Sequence, residues 1–459
     1  MCAPQARPRV IDGLGTCHIS ASGKFILERS QPAAPTAVTA AARAGTDIHP
    51  LFALSERARA AARLTETRAL DYLILVPTLR CNLSCSYCQV SRAPIDQTRF
   101  DWTEATLGHV VALLHSLDTK AIKIEFQGGE PTLRLDLIEA VIDACQHFDE
   151  RQFVICTNLS RLDEDVLRLL ENPEVLVSTS LDGSAATHRA QRTQSGDATD
   201  DFFANARTIV ERFGPGKLSA LPTIDQTNLP EPDELIDAYA SLGQTSIFLR
   251  PINYQGFARK RHAAANQDHS AWWRWYDRFV RRLIARNHQD RSTVFEESYL
   301  TLCLQRIFQV GHDRHVDLRN PNPVGKDYVL VDFDGRVYPT DEARMLTRSG
   351  VVDLGIGTIA SGWDTPARAM LDRHSTNIGD PACDSCAYQP WCGRDLVDDL
   401  SRYGTIAKPR HETFFCQKHQ HMFDLCMRLL YDPDPGTRYS LAKWTGLAGE
   451  RLPDMAECV

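Results

Sequence analysis

The chain has 459 residues, 43% of them hydrophobic and 24% charged, with a formal net charge of −8. These values fit an ordinary soluble globular protein, either one large domain with appendages or two to three domains, and they argue against nucleic acid as the main partner. No apolar run approaches a membrane-spanning length, and the start "MCAPQARPRV" lacks the charged-then-apolar layout of a secretory signal. The expectation is a cytoplasmic protein with no membrane partner, whose fourteen cysteines serve metal ligation and core packing rather than disulfides.

Residues 1–66 read as an N-terminal appendage. "CHISASGKFILERS" has the pattern of a hairpin, and "SQPAAPTAVTAAARAG" (30–45) is an Ala/Pro-rich linker. A small peptide-binding element and a partly disordered cap are both open for this region. From Asp71 short apolar runs alternate with helical periodicity. The strand candidates are 72–78, 122–126, 153–157, 175–181, 218–224 and 246–252, and the helix candidates between them are 103–117, 135–148, 163–172, 202–213 and 233–242. This alternation predicts right-handed βαβ crossovers and a parallel sheet. Six units fall two short of a closed eight-unit barrel, so the expected α/β architecture is a partial, TIM-like (β/α)6 barrel over 67–265. Its chemistry belongs at the C-terminal ends of the strands.

A helical connector follows at 266–325. Trp272, Trp273, Trp275 and Tyr276 on its first helix are expected to pack onto the barrel. Residues 326–430 begin with a hairpin over 328–345 that turns at Asp334–Gly335, and they also contain a cysteine cluster. Residues 431–459 form a tail. Cys145 and Cys156 fit helix and strand core positions.

Three residues past the first strand, "LRCNLSCSYCQVSR" places Cys81, Cys85 and Cys88 in the spacing C-x3-C-x2-C. Thiolates are soft ligands for zinc or iron–sulfur. Structural zinc closes with four protein ligands, whereas three cysteines on a four-iron cube leave one iron open to a small molecule. Cys383, Cys386, Cys392 and Cys416 form a second set that can close a site completely, and on spacing alone structural zinc competes there.

The first loop, with an aromatic residue before its last cysteine, resembles the signature of the radical S-adenosylmethionine (radical SAM) superfamily. The resemblance implies a [4Fe–4S] cluster on Cys81, Cys85 and Cys88, with S-adenosylmethionine on the open iron and Tyr87 beside the adenine. Reductive cleavage of that cofactor would supply a 5′-deoxyadenosyl radical. "QGGEP", holding Gly128, Gly129 and Glu130, resembles the motif that binds the methionyl amino group, and glycines there let backbone come close to a ligand. Asn158 resembles a polar cofactor contact. Ser180, Asp182 and Gly183 match the SLDG motif of peptide-modifying members, and Arg192 matches a carboxylate clamp. Arg189 stands where many members have an acidic residue. Thr223 and Asn228 are weaker candidates, with a turn or cap as the plain alternative.

The second set resembles the SPASM-like extension, which implies one auxiliary [4Fe–4S] cluster. Leu396 and Thr340 stand where a further cluster would need cysteines, and Cys303 alone cannot hold one. Asp341 aligns with a catalytic base of sulfatase-maturing relatives; the alternative is a turn residue or an ion pair with Arg344. Over about 70–430 the chain is most similar to maturases of the His-Xaa-Ser system (HxsB type), on "YLILVPTLRCNLSCSYCQVSRA" and "VYPTDEARM". That implies side-chain hydrogen abstraction and a crosslink in a ribosomally made precursor peptide. The implied partners are a flavodoxin or ferredoxin that donates electrons and a second radical SAM maturase. A formylglycine-making maturase and a zinc-stabilised peptide-binding protein are the alternatives.

Overall fold

The computed structural model describes residues 9–12, 14–19, 25–29, 69–253, 255–261, 269–308, 318–320, 322, 324–389 and 391–446. The linker at 30–45 lies outside the described residues. Near the N-terminus, β1 (Arg9–Ile11), β2 (Gly15–Ile19) and β3 (Phe25–Arg29) form an antiparallel three-stranded sheet, which includes the expected hairpin. Ile11 and Leu14 are buried in the main core.

The barrel strands are β4 (Tyr72–Thr78), β5 (Ala121–Gly128), β6 (Glu150–Cys156), β7 (Val175–Ser180) and β8 (Leu218–Leu221), each paired parallel to the next. Side-chain parity divides each strand between two faces. On β5, Ile122, Ile124 and Phe126 are buried in the core under the helices. Lys123, Glu125 and Gln127 lie on the opposite, inner face. Helices Glu104–Ser116, Leu135–Ala144, Glu164–Leu170, Gly196–Phe213 and Pro232–Ala240 fall within six residues of their expected boundaries. Thr103, Asp163 and Ser195 cap three of them through side-chain oxygens.

The sixth strand is much shorter than its apolar run suggests. Only β9 (Ser246–Ile247) is regular, and it pairs with β10 (Glu296–Glu297). The backbone beyond it meets the β8 side through one bridge, with Ile224 N donating to Arg250 O at 2.9 Å and Ile252 N to Ile224 O at 3.0 Å. Pro222 and Pro251 lack the N–H groups a longer ladder needs. The buried Glu297 carboxylate also takes the Leu249 N–H at 2.8 Å.

The hairpin turning at Asp334–Gly335 is present as β11 (Tyr328–Val331) and β12 (Arg336–Tyr338). It extends the barrel sheet, because β11 pairs parallel with β4. β13 (Gly357–Thr358) completes the order β13-β12-β11-β4-β5-β6-β7-β8. The stretch from Asp341, expected to be hairpin, is a helix (Asp341–Arg348), since Thr340 Oγ1 accepts from Ala343 N at 3.0 Å and caps it. Trp272, Trp275 and Tyr276 are buried in the core as expected, and Trp273 stacks on His421 at 4.7 Å. Among the described residues no helix is long and apolar enough to cross a membrane.

The helix after the hairpin is tied down by buried charge. Asp332 and Arg344 are fully buried and 3.6 Å apart, and Arg348 approaches Asp332 at the same distance. Arg344 Nη1 also donates to Val90 O, at 3.4 Å, in the tail of the cysteine loop. Removing one partner of such a group leaves an uncompensated charge. Arg344→Met is therefore expected to cost about 3 kcal/mol in urea unfolding. The double variant Arg344→Met/Asp332→Leu should recover a large part of that loss; no recovery would mean the charges are not coupled.

Candidate active site at the mouth of the sheet

Residues 81–93 leave the end of β4 and return to it. Cys81 N donates to Ala93 O at 3.1 Å and Ala93 N to Leu79 O at 2.7 Å, closing the loop at its base. The base is held by charge: Arg80 forks onto Asp101 with two bonds of 2.7 Å, and Thr78 Oγ1 donates to the same carboxylate at 2.6 Å. Burial works against ionisation of Asp101, but Arg80 and Thr78 outweigh it and hold the carboxyl below its ordinary range.

The end of β5 fixes the loop from the side. Gly129 N donates to Thr78 O at 3.1 Å and Glu130 N to Arg80 O at 2.8 Å. A Cβ on Gly128 would overlap the Thr78 carbonyl oxygen, and one on Gly129 would overlap the carbonyls of Leu79 and Arg80. These glycines thus bring backbone against the loop's own backbone, a need that a purely ligand-facing role does not cover. Two further contacts hold the tip. Ser86 N donates to Gln191 O at 2.8 Å, and Phe257 N donates to Cys88 O at 3.0 Å. Gly256, at φ +53°, allows the second, since a Cβ there would meet the Gln89 carbonyl.

The loop opens on a cavity of about 530 Å³. Cys81, Cys85, Tyr87, Cys88, Gly128, Gly129, Asn158, Ser180, Arg192, Thr223 and Asp341 all line it. Glu130 and Asp182 do not. Glu130 is buried, and its carboxylate accepts from Asn158 N at 2.8 Å, Thr132 N at 3.1 Å and Thr132 Oγ1 at 2.7 Å. It therefore positions Asn158, whose Nδ2 lies 3.7 Å from Cys81 Sγ. Asp182 is buried and accepts from Tyr87 Oη at 2.7 Å and Thr223 N at 2.9 Å. Burial pushes its carboxyl up, while Arg192 and Tyr87 pull it back. Arg192 sits on a π-helical turn (Arg189–Thr193) and donates Nη1 to Tyr87 Oη at 2.7 Å. Asn228 is exposed in a turn with its N–H on Asp225 O, so the plain reading holds there.

Asp341 stands at the first turn of its helix and does not pair with Arg344, which is held by Asp332. Cys145 is a core residue as expected. Cys156 is not: it shares the inner face of β6 with Val154, lines the cavity, and donates to Glu125 Oε1 at 3.3 Å. Strand parity in "FVIC" carried that signal. Glu125, which also accepts from Tyr72 Oη at 2.7 Å, could have been found the same way from "IKIEFQ". Arg250 had no such signal, because the strand it follows breaks at Ile247.

The second cysteine set converges as well. Cys383, Cys386, Cys392 and Cys416 line one cavity of about 340 Å³, together with Arg9, Arg410 and His419. Arg410 is buried and paired with Asp399. Arg9 reaches in from β1 and holds Asp424 at 2.6 Å, tying the N-terminal sheet to this cavity.

Each of the seven cysteines stands outside any disulfide. Among the described residues, no three His, Cys, Asp or Glu side chains gather tightly enough for a single metal ion. A four-iron cube asks for something different, because each thiolate takes its own corner. The donor chemistry fits such a group. Leu83 N donates to Cys81 Sγ at 3.4 Å, and Arg192 Nε is buried in the cavity wall without a partner. Burial pushes the Cys81 thiol up to about 12 and the Cys383 thiol likewise, so ligation must displace their protons.

Gly129→Ala should fold but lose the cluster absorbance of the first site after anaerobic reconstitution, because the new Cβ displaces the loop base. Gly108→Ala, on an open helix face, should leave that absorbance intact and add up to about 1 kcal/mol of stability. Equal absorbance in the two variants would contradict this account of the loop.

Residues 75–239 match the family model described as the radical SAM superfamily. Over 182 residues the chain is 28% identical to an uncharacterized protein of Methanocaldococcus jannaschii, covering 39% of this chain and 61% of that one. Over 191 residues it is 27% identical to a PqqA peptide cyclase of a Methylobacterium species, covering 41% and 48%. The chain thus spans less than two thirds of the length of these relatives. A solved structure of anSMEcpe with bound AdoMet has a TM-score of 0.62 at 17% identity, over 78% of this chain and 97% of that one, which is a likeness of fold. With the three-cysteine loop, the glycine seam and the parallel sheet in place, these matches identify residues 75–239 as a radical SAM domain.

Proposed function

We propose that this chain is a radical SAM enzyme that modifies a ribosomally made precursor peptide. It takes a hydrogen atom from a side-chain carbon and forms a crosslink of the His-Xaa-Ser type. The observation that carries the reading is the meeting of Cys81, Cys85, Cys88, Arg192 and Asp341 on one cavity. The similarity to a PqqA peptide cyclase supports a peptide substrate.

Cys81, Cys85 and Cys88 would hold a [4Fe–4S] cluster with one iron open to S-adenosylmethionine. When bound, that pair supplies the 5′-deoxyadenosyl radical that abstracts the hydrogen atom. The chain's residues do the remaining work. Arg192 offers a planar fork to the methionyl carboxylate. Tyr87 is locked between Arg192 and Asp182, where it can flank the adenine. Asn158 is held by Glu130 beside Cys81. Asp341 would take a proton from the substrate as the surplus electron leaves. The barrel wall shields the reacting carbon from water. Cys383, Cys386, Cys392 and Cys416 would hold an auxiliary [4Fe–4S] cluster of SPASM type that accepts that electron, with Arg410 beside it. A cytoplasmic flavodoxin or ferredoxin supplies the starting electron, and a second radical SAM maturase acts on the same peptide.

Anaerobically reconstituted protein should carry about eight irons and about eight sulfides per chain, against zinc without sulfide if the reading is wrong. Replacing Cys81, Cys85 and Cys88 together by Ala should abolish 5′-deoxyadenosine formation. Asp341→Asn should keep that formation while slowing peptide product by roughly 10²-fold or more. Mass spectrometry of a co-expressed precursor should show loss of two hydrogens; an unchanged mass and fragmentation pattern would rule out the crosslink.

A further inference from the structure

Arg92, Arg192 and Arg250 all line the reaction cavity. Arg92 is engaged by Ser84. Arg192 is engaged by Tyr87. Arg250 is the least provided for. It follows the short sixth strand, where its backbone carbonyl takes the Ile224 N–H. Its side chain makes one long bond, Nη2 to Thr223 Oγ1 at 3.4 Å, and its Nε is buried without a partner.

Asp182 is the carboxylate that both Arg192 and Arg250 act on. Its oxygens are already bonded to Tyr87 Oη and Thr223 N. Both guanidiniums act on this one carboxylate, and each keeps a buried Nε–H without an acceptor. Burying such donors unmet is unfavourable. The rigid five-donor fork of arginine matches the two oxygens of a carboxylate.

We propose that Arg250, beside Thr223, is a second carboxylate-binding residue of the cavity in addition to Arg192. The inference rests on the function proposed above, which gives one carboxylate to Arg192, and it adds a second acceptor position. The carboxylate has two possible sources: the methionyl group, held between both guanidiniums, or an acidic group of the substrate.

Equilibrium dialysis of the reconstituted full-length protein under anaerobic conditions separates these. The probes are S-adenosylmethionine, its decarboxylated analogue, and the Nα-acetyl amides of aspartate and asparagine added with S-adenosylmethionine present. If Arg250 holds the methionyl carboxylate, Arg250→Gln cuts the preference for S-adenosylmethionine over the decarboxylated analogue by roughly tenfold. If it holds a substrate carboxylate, that preference stays and the aspartyl probe loses a roughly tenfold advantage over the asparaginyl one. Should Arg250→Gln lose iron, the same comparisons are made on Arg250→Lys, which keeps the charge without the fork and should retain only part of the preference. Wild-type protein that holds no clusters or binds no S-adenosylmethionine overturns the proposed function and this inference together. Intact clusters and cofactor binding, with neither preference dependent on Arg250, overturn this inference alone.

Discussion

The end of β5 lies against the base of the cysteine loop so closely that no side chain fits between them. Gly128 and Gly129 face the carbonyls of Thr78, Leu79 and Arg80, and their neighbours' N–H groups complete the seam. Backbone hydrogen bonds of this kind leave a loop little freedom, because each one also satisfies a group that could not otherwise be buried. The position of Cys81 follows from the seam, as does the side of the loop that faces the barrel. Asp101 anchors the same base from below through Arg80 and Thr78. Gly256 and the π-helical turn at Arg189–Thr193 hold the tip.

Around that fixed loop the cavity wall carries residues of both charges. Arg192 follows β7 and Arg250 follows β9, whereas Glu125 lies on β5 and Asp341 begins the helix Asp341–Arg348. A cofactor with an amino-acid end and a substrate that must lose a proton would use those two groups differently. The second cysteine set has another character. Its four thiols line their own cavity, together with buried Arg410 and Arg9 from the N-terminal sheet. A closed set near compensating cations suits electron transfer or structural support, and an open set beside a cavity suits substrate chemistry.

Much of this was legible in the sequence, for local reasons. "YLILVPT" could only be a buried parallel strand, and its boundaries agree with β4. The cysteines and the strand-end motifs sit where an α/β sheet gathers its ligands. Other features depend on contacts between distant segments. Glu130 and Asp182 read as cofactor contacts, but burial turned them inward to hold Asn158 and Tyr87. The sixth strand read as long because its apolar run gave no sign of the Glu297 carboxylate that takes its backbone bond. The helix from Asp341 was hidden behind a hairpin pattern, although Thr340 followed by acidic residues is a capping signal. Cys156 reads as core from its apolar neighbours, but its parity on β6 turns it to the inner face.

On the proposed function, the three-cysteine site leaves one iron open and the four-cysteine site is closed. Electron paramagnetic resonance of the reduced, reconstituted protein, recorded with and without S-adenosylmethionine, tests it most directly. Two cluster signals are expected, of which only the one lost on replacing Cys81, Cys85 and Cys88 changes when the cofactor is added. A cofactor-induced change that survives that replacement, or one that instead disappears when Cys383, Cys386 and Cys392 are replaced, would contradict it.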